Sequence, residues 1–209
     1  MKTSVSAKSA AKKPARPAAP YHHGNLREAL LAAADTVLTE RGAHGITLRE
    51  VAKAAGVSHA APYHHFSSLE DLLAAVAERE FMALAAVLER AAAAGTAREK
   101  FLAIADAYVR FARSRPAQYR LMFGPLMAHK HDYPGMRAAG ERAFGVVLAA
   151  ANAHDPKNGP ELALCGWSLA HGLSNLMIDG AIDNLSTRVQ SPDRLPRRLT
   201  SWLLAAKGI

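Results

Sequence analysis

The chain has 209 residues, half of them apolar but only 6% aromatic, and carries a formal charge of +8. No stretch approaches the roughly 20 uninterrupted apolar residues of a membrane span, and no apolar signal core follows Met1. Cys165 is the single cysteine, which excludes an internal disulfide and a structural cysteine zinc site.

The expectation is a soluble cytoplasmic protein. Its abundant alanine favours helices, because Ala loses no side-chain entropy there. The first segment, residues 1–20, carries Lys2, Lys8, Lys12, Lys13 and Arg16, no acidic residue, and Pro14, Pro17 and Pro20. It reads as a flexible basic arm. Such an arm is either a solvated tail or, beside a DNA-binding module, a contact to phosphates or the minor groove.

A first helix is expected from Asn25, with Asn25 and Glu28 as a capping box, to Gly42. Leu26, Ala29, Leu30, Ala33, Val37 and Leu38 fall on one face of it. Thr47 and Glu50 form a second capping box, opening a helix with Leu48, Val51, Ala52 and Ala55 inward and Gly56 as its stop. Val57 turns inward, and Ser58 is the expected N-cap of a third, short helix. The stretch "TLREVAKAAGVSHAAPYHHF" thus gives helix, tight glycine turn, short helix. That is the helix-turn-helix pattern, whose second helix enters a DNA groove.

Ser68 then caps a long helix reaching about residue 94, where Gly95 ends it. Further helices are expected over 97–114, 117–127, 136–153, 161–183 and 195–207, separated by proline- and glycine-bearing breaks. No alternating strand pattern occurs. The expected fold is all-α, with about nine helices: an N-terminal three-helix unit and a larger C-terminal helical bundle.

Three histidines crowd the candidate reading helix. His59 and His64 differ by five positions, about 140° around a helix, and the adjacent His64 and His65 diverge by about 100°. No Cys, Asp or Glu lies between 51 and 69, so these side chains do not converge on a metal. As a DNA-reading surface the arrangement works: His59, Ala60, Tyr63 and His64 face outward while Ala61 and Phe66 face the core. Thr47 and Ser58 place helix N-termini near phosphates, and small Ala60 permits close approach to a base edge. The bland alternative is an ordinary solvated helix.

Other polar groups carry weaker signals. His129, His131 and Asp132 sit in an expected loop, where a metal role competes with simple solvent exposure. Trp167, His171 and Asn175 are spaced by four on one helix face. Ser168 lies three before His171, but no nucleophile turn or oxyanion donor accompanies the pair. No catalytic residue, cofactor or metal is expected, and the chain does not read as an enzyme. On the same helix Ala163, Gly166, Ala170, Ser174, Met177 and Ala181 form a stripe that lets another helix approach closely. Internal packing and a two-fold partner both explain such a stripe. The partner is the reading taken, with Leu195, Leu199, Trp202 and Leu203 of the last helix beside it.

The stretch "GITLREVAKAAGVSHAAPYHHFSSLEDLL" resembles the TetR family of transcriptional regulators, with Ala-Gly-Val-Ser, Tyr63, Phe66 and Glu70-Asp71-Leu72 in register. The resemblance spans about residues 24–84, and "CGWSLAHGLSNLMIDG" looks like the Trp-His-Gly signature of one subgroup. Two departures stand out. Leu69 replaces a frequent lysine, and Pro62 replaces a frequent leucine, which takes away a donor to the Ser58 carbonyl and tightens the first turn.

The resemblance implies a DNA-binding domain over 21–67 and an effector-binding, dimerising domain over 68–209. It assigns Tyr63 and Arg49 to backbone contacts, completing a DNA-binding set of Thr47, Arg49, Ser58, His59, Ala60, Tyr63 and His64. It implies a homodimeric repressor on a palindromic operator, released by a small apolar or amphipathic effector. Tyr108, Phe111, Met122, Phe123, Met127, Phe144, Trp167, His171 and Asn175 are the candidate effector contacts, with Ala163, Gly166, Ala170, Ser174, Met177, Ala181, Leu199 and Trp202 at the dimer interface. The partners expected are double-stranded DNA, a second copy and the effector, with no membrane. The rival is an enzyme or small-molecule carrier that keeps the helix-turn-helix as scaffold. Sequence-blind DNA compaction by the arm is a third possibility.

Overall fold

The computed structural model describes residues 26–42, 45–125, 132–182 and 191–206. Among them there are eight α-helices and no strand: α1 (Leu26–Arg41), α2 (Leu48–Ala54), α3 (Leu69–Ala91), α4 (Ala97–Ser114), α5 (Pro116–Phe123), α6 (Pro134–His154), α7 (Gly159–Ile178) and α8 (Leu195–Ala205). Two 3-10 turns, Ala61–His64 and Pro192–Arg194, complete the order.

The helices start where short polar side chains can accept backbone donors. Thr47 Oγ1 accepts from Glu50 N (3.2 Å), Ser68 Oγ from Asp71 N (3.0 Å), and Thr96 and Glu99 close a full capping box. The Glu50 carboxylate accepts from the Thr47 hydroxyl (3.1 Å) and from Arg41 Nη1 (2.5 Å), which ties the end of α1 to the start of α2. Gly42 and Gly56 end their helices with φ of +68° and +70°, a region that costs other residues steric strain. Asn25, the expected first cap, lies outside the described residues.

The third expected helix is a 3-10 turn. Ala61 N donates to Ser58 O (3.0 Å) and Tyr63 N to Ala60 O (3.2 Å), a spacing of three rather than four. Pro62 has no N–H to give Ser58 O, so the α pattern cannot start there. Ala60, not Ser58, precedes the turn, and no side chain caps it. Other ends differ from expectation, two of them by several residues. α5 stops at Phe123, before Gly124-Pro125, and α7 stops at Ile178 because Gly180 takes φ +70°. Ala181 is therefore beyond the helix.

Two hydrophobic cores share one long helix. Leu30, Leu38, Val51 and Phe66 pack with the α3 residues up to Ala77, and Leu121 and Met136 close this head core. The body core begins at Leu84 of α3 and takes in Phe101, Tyr108, Tyr119, Met122, Val147 and Ala163. Burying one such Leu or Phe stabilises by roughly 1.5–3 kcal/mol. α3 runs through both cores and joins the head to the body at its middle.

The small-residue stripe finds its partner inside the chain. Ala163, Gly166, Ala170 and Ser174 are buried within the subunit, with Gly166 and Ala170 against α4. A Cβ added at Gly166 would lie 2.5 Å from Phe101 Cζ. The placement of these four at a subunit interface is thereby corrected: small residues did admit a close helix, but that helix is this subunit's own α4. Met177 and Leu199 pack on the body core, while Ala181 and Trp202 are exposed.

Candidate functional site

At the tip of the head, every residue singled out for DNA contact is exposed: Thr47, Arg49, Ser58, His59, Ala60, Tyr63 and His64. Tyr63 leaves 59% of its surface free, which is unusual for a large aromatic side chain. Beneath it, Ala61, Pro62 and Phe66 are buried, and the Arg27 guanidinium sits 5.6 Å from the centre of the Phe66 ring. A 3-10 turn repeats every three residues, so Ala60 rather than His59 lines up with Tyr63. His65, outside the expected set, is exposed beside them.

Behind the head lies a polar junction. Gln118 of α5 is buried and donates to Asp35 Oδ1 (2.8 Å) and Thr39 Oγ1 (2.7 Å) on α1. Arg79 Nη2 adds a contact to Leu31 O at 3.4 Å. Glu80, only 2% exposed, accepts from Arg115 Nη1 through both carboxylate oxygens at 3.1 and 2.8 Å. Tyr133 donates to Asp71 Oδ1 at 3.3 Å, which fastens the start of α6 to the first turn of α3. Ser67 also donates to Asp71, and these bonds hold that carboxyl below its ordinary value.

One residue along from Gln118, Tyr119 turns the other way, into the body. Its hydroxyl lies 2.7 Å from His171 Nδ1, and the Tyr108 hydroxyl lies 3.0 Å from the same nitrogen. Trp167 Nε1 donates to the Tyr108 hydroxyl at 3.3 Å. Phe123 stacks edge-on to His171 at 4.8 Å between centroids, and Phe144 packs against Trp167 at 5.7 Å. Burial holds the His171 imidazole below its usual value and therefore neutral, and it raises both tyrosines. Serine–histidine chemistry has no geometry here: Ser168 is exposed, while His171 is engaged by the two tyrosines.

A cavity of about 40 Å³ opens against this cluster, lined in part by Phe81, Tyr108, Phe123, Gly140, Phe144 and Trp167. A second of about 10 Å³ shares Tyr108, Val147 and Trp167 as its wall. Of the expected effector contacts, Tyr108, Phe123, Phe144 and Trp167 line it, His171 sits behind them against Tyr108, Phe123 and Trp167, and Asn175 continues the His171 face one turn on. Met122 is packed in the core, and Phe111 instead lines an open groove of about 760 Å³ between α3 and α4. Met127, His129 and His131 lie outside the described residues. Phe81 of α3, which lines the cavity, and Tyr119 of α5, which bonds His171, were outside the expected set.

On the opposite side of α7 from the buried stripe, Leu164 and Leu176 are 54% and 50% exposed, and Trp202 of α8 is 62% exposed. Three large apolar side chains on two helices make an unusual surface. Among the described residues no helix is long and apolar enough to cross a membrane.

Residues 30–76 match the family model described as bacterial regulatory proteins, tetR family. Residues 101–201 match the tetracyclin repressor-like C-terminal domain. Neither description speaks to the Trp-His-Gly subgroup. No curated protein matches the chain. Among solved structures, a protein of unknown function from Rhodococcus sp. RHA1 is 34% identical, with a TM-score of 0.76 over 89% of this chain and 97% of that one. The TetR family transcriptional regulator PfmR from Thermus thermophilus shares 18% identity with a TM-score of 0.65, over 86% and 99% of the two chains. A bacterial regulatory protein in the tetR family from Rhodococcus RHA1 shares 19% at 0.67, over 86% and 95%.

Proposed function

The chain belongs to the TetR family of DNA-binding transcriptional regulators, and from that premise we propose that it is a ligand-responsive repressor, acting as a homodimer on a palindromic operator. The observation that carries the reading is the path through α5. Its Gln118 is bonded to α1 of the reading head, its neighbour Tyr119 is bonded to His171, and Phe123 of the same helix lines the internal cavity. A ligand that displaces Phe123 therefore moves the helix on which the head is held. Two-fold pairing turns that movement into a change of spacing between two reading heads, which must match half-sites about one helical turn, or a multiple, apart.

In this reading Tyr63 and Arg49 bond phosphates and His59 reads a base edge. Tyr63→Phe is expected to weaken binding to every DNA sequence by about three- to tenfold, since a lost phosphate bond carries no base information. His59→Ala is expected instead to relax preference at one base position per half-site. Selecting bound sequences from a random DNA pool, then titrating each variant with the selected operator, separates these two effects. Full affinity and unchanged selectivity in both variants would place the reading surface elsewhere.

The exposed Leu164, Leu176 and Trp202 support pairing through α7 and α8. Leu164→Asp combined with Leu176→Asp puts like charges opposite each other across a two-fold axis. The double variant is expected to sediment as a monomer and to lose roughly 100-fold in operator affinity, the loss of two-headed binding. A stable dimer with wild-type affinity would rule this face out as the interface.

A further inference from the structure

The hydrogen bonds of the Tyr108–Tyr119–His171–Trp167 cluster leave one proton poorly used. With its proton on Nε2, a neutral imidazole offers a single acceptor, at Nδ1. Tyr119 is the closer of the two phenols to that nitrogen, at 2.7 Å against 3.0 Å. Tyr108 accepts from Trp167; if Tyr119 takes Nδ1, the Tyr108 proton has only the Tyr119 oxygen at 3.4 Å, and if Tyr108 takes it, Tyr119 is left with the His171 carbonyl at 3.5 Å. Either is a long bond for a hydroxyl donor. Tyr108 lines both cavities, and neither cavity has a Lys, Arg, Asp or Glu in its wall.

Resting on the ligand-release reading above, we infer that the cavity takes a compact, uncharged, largely apolar molecule with one acceptor oxygen, a carbonyl or ether-like group that receives the Tyr108 proton. A carboxylate or phosphate would enter without a countercharge, because no cationic side chain lines either cavity. Burying such a group unpaired is far more costly than leaving a neutral oxygen with one bond. The present volumes hold only a few atoms, and Tyr108, Val147 and Trp167 line both, with the Trp167 ring packed edge-on against Phe144. A larger occupant must displace this shared wall, so occupancy is coupled to tryptophan emission.

Three probes of one shape test the class: acetophenone, α-methylstyrene, which replaces its carbonyl oxygen by a methylene, and benzoate, which replaces its methyl by a charged oxygen. Binding to the full-length protein is read by calorimetry and tryptophan fluorescence, and operator release by fluorescence anisotropy of labelled DNA. Acetophenone is expected to bind about tenfold tighter than α-methylstyrene and at least about 100-fold tighter than benzoate. Tyr108→Phe should erase the first difference. Gly140→Ala should weaken acetophenone while raising thermal stability, because its added Cβ meets Phe81 no closer than 3.7 Å and occupies cavity space. Benzoate binding within tenfold of acetophenone would overturn the uncharged class, and equal binding of the two neutral probes would overturn the Tyr108 anchor. No binding by any of the three at millimolar concentration overturns the site. Acetophenone binding as described with operator affinity unchanged upholds the cavity chemistry and removes the release mechanism.

Discussion

Gly166→Leu is expected to destabilise the subunit rather than to part a dimer. A Cβ at this position would come within 2.5 Å of Phe101 Cζ and 2.9 Å of Cε1, and Phe101 is itself only 2% exposed. The ring has no solvent to swing into. A leucine adds three further carbons to the same contact, while its better helix propensity returns only about 1 kcal/mol. Overpacking of this kind costs typically 1–3 kcal/mol, and a clash with a buried ring lies at the top of that range. For a domain of this size a loss of about 3 kcal/mol lowers the melting temperature by roughly 6–12 °C. The loss should be independent of protein concentration, since the contact is within one chain. A variant that melts normally but sediments as a monomer would return this stripe to the subunit interface.

Arg115→Ala should be comparably damaging for an electrostatic reason. Glu80 is 2% exposed, and its two carboxylate oxygens are held by one guanidinium nitrogen at 3.1 and 2.8 Å. Removing the arginine leaves a buried charge without its partner, which costs about 3–5 kcal/mol in well-buried cases. Arg115 is 46% exposed along its side chain, so water can replace part of the lost bond and the lower value, about 3 kcal/mol, is expected. The double variant Glu80→Met with Arg115→Ala should recover most of the stability, because removing both charges leaves nothing unpaired. Chemical denaturation of the four proteins completes a double-mutant cycle. If the single arginine variant is within 0.5 kcal/mol, by rough measure, of wild type, this pair does not hold α5 to α3.

Much of the helical framework was legible because its signals are local. Thr96 and Glu99 cap the helix they begin, and its span of 97–114 is the one the sequence indicated. Gly42, Gly56 and Gly95 adopt the positive φ that a helix stop requires. Pro62 foretold a tight first turn, although not that the whole segment would remain 3-10. The division between buried Ala61 and Phe66 and exposed His59, Tyr63 and His64 also follows from short-range pattern. The alternation of apolar and polar side chains within one or two turns fixes which side of a segment faces its neighbours.

The contacts between distant segments were a different matter. His171 was singled out through its spacing from Trp167, but Tyr119, its nearest partner, lies 52 residues away on a helix with no visible link to it. Phe111 lies within one turn of Tyr108 on α4, yet it lines the outer groove and not the cavity. The stripe of Ala163, Gly166, Ala170 and Ser174 announced that some helix would approach closely. Whether that helix was α4 or another subunit depended on which face of α7 the fold turned inward. By itself, then, the sequence determined the all-α class, most helix limits and the outward set of the reading turn, because propensity, capping and periodicity act over a few residues. Only the tertiary structure decided the cavity, the Gln118 link and the apolar face left on the surface, since each requires side chains from separate helices to meet in space.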